Sequence, residues 1–556
     1  MASTFVMHFS NDFPGFLDAE LKGIVDATGI DLSSSEIYSP DCPFRKYHNL
    51  TLDDVTTLCS RSISLRAVYE YWCESESLED LLHQVSVHVQ QEKESCTSYK
   101  ICIEPFNRSY TNRTKERLLR IDALAEALNI DAPVKLSQPD AVYSMFEYFG
   151  PHGTQSTAEP LKFYFGKLVS ESGRERSIRK FNIKTRKFIG NTSMDPTLSL
   201  LMANMAGVTR SSLVLDPFVG TGSLLLACAH YGAYTVGTDI NKVLLHGRGR
   251  SSRAKKTWRG RDENVRANFI QYNMEDKYLD VLVADASKHN LWAMEGLFDA
   301  VVTDPPYGIR EQTLKLEAPA PDSRKPYFMP PTSQYNLSDV FTDLLALCSR
   351  CLTLGGKLVF WLPIFRPDYH EENIPSHPCF KLVSNCEQIL STFIARRLIT
   401  LQKVREPSSL KEDDWVGITN KDHYSESFRD RYFQISDQLN RVDLCEDSTG
   451  STKPATGSTK PATGSTKPAT GSTKPATGST KPATGSTKPA AGSTKPATGS
   501  TKPATGSTKP ATGSTKPATG STKPATGSTK PATGVGSNLG NSVSSYSETT
   551  LNSSVT

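Results

Sequence analysis

"LVLDPFVGTGSLLLACA", residues 213–229, runs an apolar segment into Asp216, a proline and two closely spaced glycines, then resumes as an apolar stretch with no turn residue. The pattern predicts a buried strand, a tight loop and a helix packed back on it. Gly220 and Gly222 let the backbone turn sharply and approach a ligand closely. The loop lacks the Lys-Ser/Thr ending of a P-loop, and Leu225 stands where the third glycine of a dinucleotide fingerprint belongs. Nucleoside triphosphate hydrolysis and NAD binding are therefore disfavoured.

Moving outward, "AYTVGTD" (233–239), "LDVLVAD" (279–285), "FDAVVTD" (298–304) and "GGKLVFWLP" (355–363) repeat the same apolar run, three of them closing on aspartate. Such runs alternating with helical patterns predict an α/β domain, a Rossmann-like doubly wound parallel sheet. Upstream, "TSMDPTLSLLMANMA" predicts a helix with Asp195 as N-cap and Pro196 in its first position. Ligands of these sheets sit beyond the carboxyl ends of the strands, where the aspartates fall. Asp239 lies 23 residues after Asp216, a spacing suited to ribose hydroxyls, and Asp285 is placed to accept from an adenine amine. Carboxylates around a glycine loop fit an adenosine cofactor without a pyrophosphate, S-adenosyl-L-methionine. Asp216, Phe218, Gly220, Gly222, Asp239 and Asp285 are its candidate binding residues.

The fourth strand ends in "VVTDPPYGIR", residues 301–310. The lone pair of an exocyclic nucleobase amine is delocalised into the ring, and methyl transfer requires that it be drawn out. A carboxylate, Asp304, and a rigid main-chain carbonyl of the Pro305 and Pro306 segment can each accept one N–H and aim the lone pair at a sulfonium methyl. Tyr307 offers a stacking face for an extruded base. An Asp-Pro turn that merely ends a strand is the plainer alternative for an isolated tetrapeptide; its place one strand beyond Asp285 favours catalysis.

Outside this domain, GSTKPAT recurs in twelve tandem copies from Gly450 to Thr533, one of them ending in Ala491 instead of threonine. Each copy carries a proline and a glycine and offers no apolar pair at coiled-coil a and d positions, so a disordered repeat spanning about 50 Å is expected, with a disordered tail over 534–556. Removing the repeat lysines leaves residues 1–449 with 51 Lys and Arg against 58 Asp and Glu. A mildly acidic body must contact nucleic acid through local patches. "KLVSESGRERSIRKFNIKTRKF" (167–188) is one, with Arg174, Arg176, Arg179, Lys180, Lys184, Arg186 and Lys187 as candidate RNA-binding residues; "HGRGRSSRAKKTWRGR" (246–261), interleaved with Trp258, is another. No signal-like N-terminus and no long apolar run is present, which predicts a cytoplasmic protein with reduced cysteines and no membrane contact. Cys348 and Cys351 sit in a helical pattern without a second pair, so no metal site is expected.

The N-terminal part alternates short strands and helices in two α+β units. "DPFVGTGS", "GTDIN", "VADAS" and "TDPPYGIRE", with "RKFIGNTSMDPTLSLLMANMA", "DENVRANFIQY" and "LCSRSISLRAVYEYW", resemble the eukaryotic tRNA (guanosine-10 N2) methyltransferase catalytic subunits over roughly residues 1–435. The resemblance implies a ferredoxin-like α+β domain (1–90), a THUMP RNA-binding domain (91–185) and the Rossmann-like methyltransferase domain (186–440). It also implies a tRNA substrate, and a heterodimer with a small zinc-binding activator subunit that pairs with a sheet edge. An adenine N6-methyltransferase, a protein glutamine methyltransferase, which favours asparagine in place of Asp304, and a non-catalytic tRNA-binding scaffold are the alternatives.

Overall fold

The computed structural model describes residues 3–92, 96–109, 115–253, 256–288, 291–309, 311–317, 331–411, 414, 428 and 431–433. The expected disordered repeat (450–533) and tail (534–556) lie outside the described residues.

The N-terminal part builds β1 (Ser3–Phe9), α1 (Leu17–Thr28), β2 (Ser35–Glu36), β3 (Phe44–Leu50), α2 (Leu52–Arg61), β4 (Leu65–Ser75), α3 (Leu78–Glu92), β5 (Tyr99–Phe106), α4 (Lys115–Leu128), β6 (Ala141–Tyr148) and β7 (Lys162–Glu171). Its seven strands form one sheet in the order β2-β3-β1-β4-β7-β6-β5. The eleven-residue β4 pairs antiparallel with β1 along one edge and with β7 along the other. One sheet therefore runs through both expected α+β units, and residue 90 falls inside α3. The segment from His88 onward, which reads as polar, opens with the last turn of that helix; Leu81 and Val85, both fully buried, hold it to the sheet.

After α5 (Arg174–Lys180) and α6 (Pro196–Met205) comes the second sheet, from β8 (Leu213–Asp216), α7 (Ser223–His230), β9 (Tyr234–Asp239), α8 (Lys242–Leu245), α9 (Val265–Gln271), β10 (Tyr278–Val283), β11 (Phe298–Thr303), a small hairpin β12 (Leu314–Leu316) and β13 (Thr332–Gln334), α10 (Leu337–Cys351), β14 (Leu352–Phe365), β15 (Phe380–Ile389) and β16 (Ile394–Lys403). Its order is β10-β9-β8-β11-β14-β16-β15. The first five strands are parallel, as expected from their apolar runs. The last two are antiparallel, because β15 and β16 form a hairpin whose second strand returns along β14. Alternate residues feed the two faces. Val214, Ala300, Val302, Val359 and Trp361 pack under α6, α7 and α9; Leu215, Val301, Leu358 and Phe360 pack under α10. Asp195 caps α6 as expected, its Oδ1 accepting from the Thr197 N–H at 2.8 Å.

The two sheets are joined by α1 lying on α6. A Cβ on Gly23 would meet the Asn204 carbonyl oxygen at 2.1 Å, so only glycine permits this backbone approach. Beside it the fully buried Glu20 accepts from Ile63 N at 2.6 Å, Ser64 N at 2.9 Å, Ser62 Oγ at 3.1 Å and Asn204 Nδ2 at 2.7 Å. Lys357 on β14 adds an ion pair to Asp26 at 2.7 Å. Among the described residues no helix is long and apolar enough to cross a membrane.

Candidate active site

Parallel strands deliver their last residues to one edge, so the sheet order sets Asp285, Asp239, Asp216 and Asp304 side by side, at or just beyond the ends of β10, β9, β8 and β11. The glycine loop turns between β8 and α7 with Gly220 and Gly222 both at positive φ, +49° and +78°. They serve different ends. A Cβ on Gly222 would strike Val265 Cγ1 at 2.7 Å, so this glycine lets α9 pack against the loop; a Cβ on Gly220 would meet nothing within 4 Å, so this one faces open space.

Around that space the carboxylates differ in what holds them. Asp216, 2% exposed, accepts from Thr303 Oγ1 at 2.7 Å and Phe218 N at 3.1 Å, both at Oδ1. Its Oδ2 has no hydrogen-bond partner among the described residues. Burial pushes its pKa up to about 7; the charges of Asp239 and Asp304 add to the rise, against the two hydrogen bonds. Asp239 ties the loop down through Gly220 N, 2.9 Å from Oδ2, and Asn241 N, 2.8 Å from Oδ1; burial raises its pKa and these bonds oppose it. Asp285 accepts from Ser287 N at 2.9 Å and from Leu316 N at 2.8 Å, so β12 lies over it and both oxygens already carry a backbone donor. An adenine amine would use their remaining lone pairs.

Asp304 is recessed, its side chain 27% exposed. Tyr307 turns its hydroxyl onto Asp304 Oδ1, and its ring packs against the apolar cores of both sheet faces. The tyrosine expected to supply only a stacking face is thus also a donor to the carboxylate. The Pro305 and Pro306 carbonyls accept no hydrogen bond from a described residue. Arg396 Nη1 stands 3.7 Å from Asp304 Oδ2. Burial raises the Asp304 pKa, while Arg396 and the Tyr307 hydroxyl pull it back. Arg396 had no sequence signal: it is one arginine of "IARRLITLQK" on a strand whose partner is known only from the fold.

The basic segment needs one correction. Arg186, expected to touch RNA, is buried, with Nη1 donating to Ser223 Oγ at 2.7 Å and Nη2 to the Phe181 carbonyl at 3.0 Å. It fastens the segment to α7. A run of cations resembles a solvated face, and only the tertiary partners reveal the exception. Arg174 is mostly covered and pairs with Asp12, whereas Arg176, Arg179, Lys180, Lys184 and Lys187 are exposed. Arg253, from the second basic segment, donates to the carbonyls of Lys184 at 3.3 Å and Arg186, joining the two segments. Cys348 and Cys351 are buried in α10, and among the described residues no cluster of three His, Cys, Asp or Glu side chains could hold a metal ion.

A glycine loop opening on strand-end carboxylates, beside an Asp-Pro-Pro-Tyr corner, defines a Rossmann-like methyltransferase with an N-terminal α+β module. Family models agree: one described as the Tmrp11 THUMP N-terminal domain matches residues 3–174, and one described as an RMKL-like methyltransferase domain matches residues 184–316. The tRNA (guanine(10)-N(2))-methyltransferase TRMT11 of Mus musculus is 40% identical over 441 residues, covering 77% of this chain and 94% of the relative. The Homo sapiens protein of the same name is 40% identical over 435 residues, covering 74% and 91%, and that of Dictyostelium discoideum 31% over 436, covering 72% and 82%. The chain belongs to this TRMT11 family of tRNA (guanine(10)-N(2))-methyltransferases. Among solved structures, TrmN from Thermus thermophilus matches with a TM-score of 0.39 at 16% identity, over 72% of this chain and 100% of that one.

Proposed function

We propose that the protein methylates the exocyclic N2 amine of guanosine 10 in tRNA, with Asp304, Pro305, Pro306 and Tyr307 as the catalytic corner. The observation that carries this is the recessed Asp304 carboxylate beside proline carbonyls that no described residue engages, next in the sheet to Asp216. S-adenosyl-L-methionine, the methyl donor, supplies an electrophilic carbon when bound. The residues present fit it: the open side of Gly220, the spare oxygen of Asp216 for a cationic group, and Asp239 for ribose hydroxyls. Asp304 and a proline carbonyl accept the two N–H groups of the amine, turning its lone pair outward in a fixed direction. The raised proton affinity of Asp304 suits it to take the proton released after transfer. Phe218 lies in the same loop, and we assign it to the cofactor side.

The exposed cations of α5 and the segment after it, Arg176, Arg179, Lys180, Lys184 and Lys187, carry tRNA phosphates between the N-terminal module and the active site. We assign residues 1–90 to a ferredoxin-like unit and 91–185 to the THUMP module, the two sharing one sheet with α3 across their boundary, and 186–440 to the methyltransferase domain. The heterodimer with a small zinc-binding activator subunit is supported by β10. This strand ends the second sheet and exposes Leu279, Leu282 and Val283, an apolar edge that a partner strand would extend. Action on cytoplasmic tRNA completes the proposal.

The test is mass analysis of nucleosides from tRNA of cells lacking the protein. N2-methylguanosine at position 10 should vanish and return with the wild-type gene. Its persistence at that site after removal of the protein would refute the assignment.

A further inference from the structure

We propose that Arg396 is a positioning residue for methyl transfer, holding the Asp304 side chain in place to receive the substrate amine, with Trp361 and Gln388 fixing the arginine in turn. The inference rests on the reading of Asp304 given above.

Arg396 lies opposite Pro363 in the β14–β16 ladder, and Trp361 lies opposite Leu398, so arginine and indole are diagonal neighbours. The guanidinium sits 3.9 Å from the centroid of the Trp361 ring, and Nε donates to Gln388 Oε1 at 2.6 Å. A planar cation stacked on a ring and anchored at Nε has little freedom left. Trp361 is itself fully buried, its indole N–H directed at Met202 Sδ at 3.1 Å and its ring 6.0 Å from that of Phe16. The arginine is thus mounted on the core, and one of its two remaining nitrogens, Nη1, is directed to Asp304 at 3.7 Å. That separation is longer than a hydrogen bond. The charge steadies the carboxylate without occupying it, which is what an acceptor awaiting an amine requires.

The charged and titratable groups facing Asp304 are Arg396 from β16, Tyr307 from the turn that follows it, and Asp216 from the end of β8. Arg396 favours the ionised carboxylate against burial. Removing its charge moves the Asp304 titration to higher pH, so activity should be lost at a pH where the wild type still works. Asp216 is common to both proteins; Arg396 also acts on the Tyr307 hydroxyl, but burial and the Asp304 charge hold that group above its ordinary range, so it stays protonated from pH 6 to 9 in either protein.

The experiment compares wild type, Arg396→Met, Arg396→Lys and Asp304→Asn as full-length chains with the activator subunit present, by kcat and KM from pH 6 to 9, donor affinity and thermal midpoint. Methionine keeps the apolar contact with Trp361 and deletes the charge. Arg396→Met should lower kcat at neutral pH by about ten- to a hundredfold, less than the roughly hundred- to thousandfold loss of a donor that touches the reacting atoms, because Arg396 acts through Asp304. The deficit should shrink as pH rises, with donor affinity unchanged. Arg396→Lys should restore the acid limb of the profile and part of kcat. An Arg396→Met protein with the wild-type kcat and acid limb, or one whose loss tracks unfolding at every pH, overturns the inference. If Asp304→Asn retains full activity, the reading of Asp304 itself falls; an inactive Asp304→Asn beside a normal Arg396→Met removes Arg396 alone.

Discussion

Two carboxylates drawn back from water, Glu20 at the seam between the sheets and the half-buried Asp304 at the end of β11, show how differently burial can be used. Glu20 is wholly covered and its oxygens accept from two backbone N–H groups, a hydroxyl and an amide, all between 2.6 and 3.1 Å. Asp304 has one tyrosine hydroxyl and a cation at 3.7 Å, and stays partly open. A carboxylate whose lone pairs are filled by its own chain is mortar; one left with capacity and a supporting charge is available for a substrate. Withdrawal from water alone does not tell the two apart.

The sharpest way to break the comparison is to delete each carboxylate. Asp304→Ala should reduce methyl transfer to tRNA about a thousandfold, equivalent to about 4 kcal/mol of barrier, and leave the denaturation midpoint nearly unchanged. Transfer of labelled methyl into unmodified tRNA measures the first, a urea titration the second. Glu20→Ala should do the reverse. It strands buried donors of Ile63, Ser64 and Asn204, a destabilisation of about 3 kcal/mol, while molecules that remain folded turn over at the normal rate. A Glu20→Ala protein as stable as wild type would show that the seam is held by apolar packing alone.

The edge of strand-end carboxylates was legible in the sequence and the seam was not. Apolar runs of strand length ending in aspartate encode position locally: the run becomes a parallel strand, and its end meets the ligand side of the sheet. Asp216, Asp239, Asp285 and Asp304 could be placed by that rule alone. Glu20 lies in an ordinary amphipathic helix, and its partners, at residues 62–64 and 204, come from elements that meet only in three dimensions. Arg396 escaped for the same reason, being 92 residues from Asp304 on an antiparallel strand that the pattern of parallel runs did not foreshadow. Even where positions were legible, occupancy was not. The backbone donors on Asp285 and the Tyr307 hydroxyl on Asp304 depend on how loops fold back.

Asp216 lies between the two extremes, covered like Glu20 yet with one oxygen unpartnered among the described residues, and pH can sharpen its placement. Its pKa of about 7 belongs to the protein without a cationic ligand. Above that value the carboxylate is charged and ready for the donor's positive end; below it, binding must first expel a proton. Affinity for S-adenosyl-L-methionine should therefore be flat at alkaline pH and fall by up to about tenfold per unit as pH drops below 7, since one proton is coupled to binding. Calorimetric titration across that range checks it. In Asp216→Asn the dependence should disappear and the affinity remain low throughout.

The smallest effect carries the same distinction over to the arginines. Arg179 is exposed, paired among the described residues with Glu175 at 3.5 Å on its own helix, whereas Arg186 is buried and bonded to Ser223 and the Phe181 carbonyl. One has its charge available to a phosphate and the other has spent its donors on the fold. Arg179→Ala should weaken tRNA binding only a few-fold and lower the slope of log affinity against log salt by about one, the signature of one lost phosphate contact. Arg186→Ala should lower the thermal midpoint and leave that slope alone. An unchanged slope in Arg179→Ala would move the tRNA path away from α5 and towards the 246–261 segment, where Trp258 is exposed among further arginines.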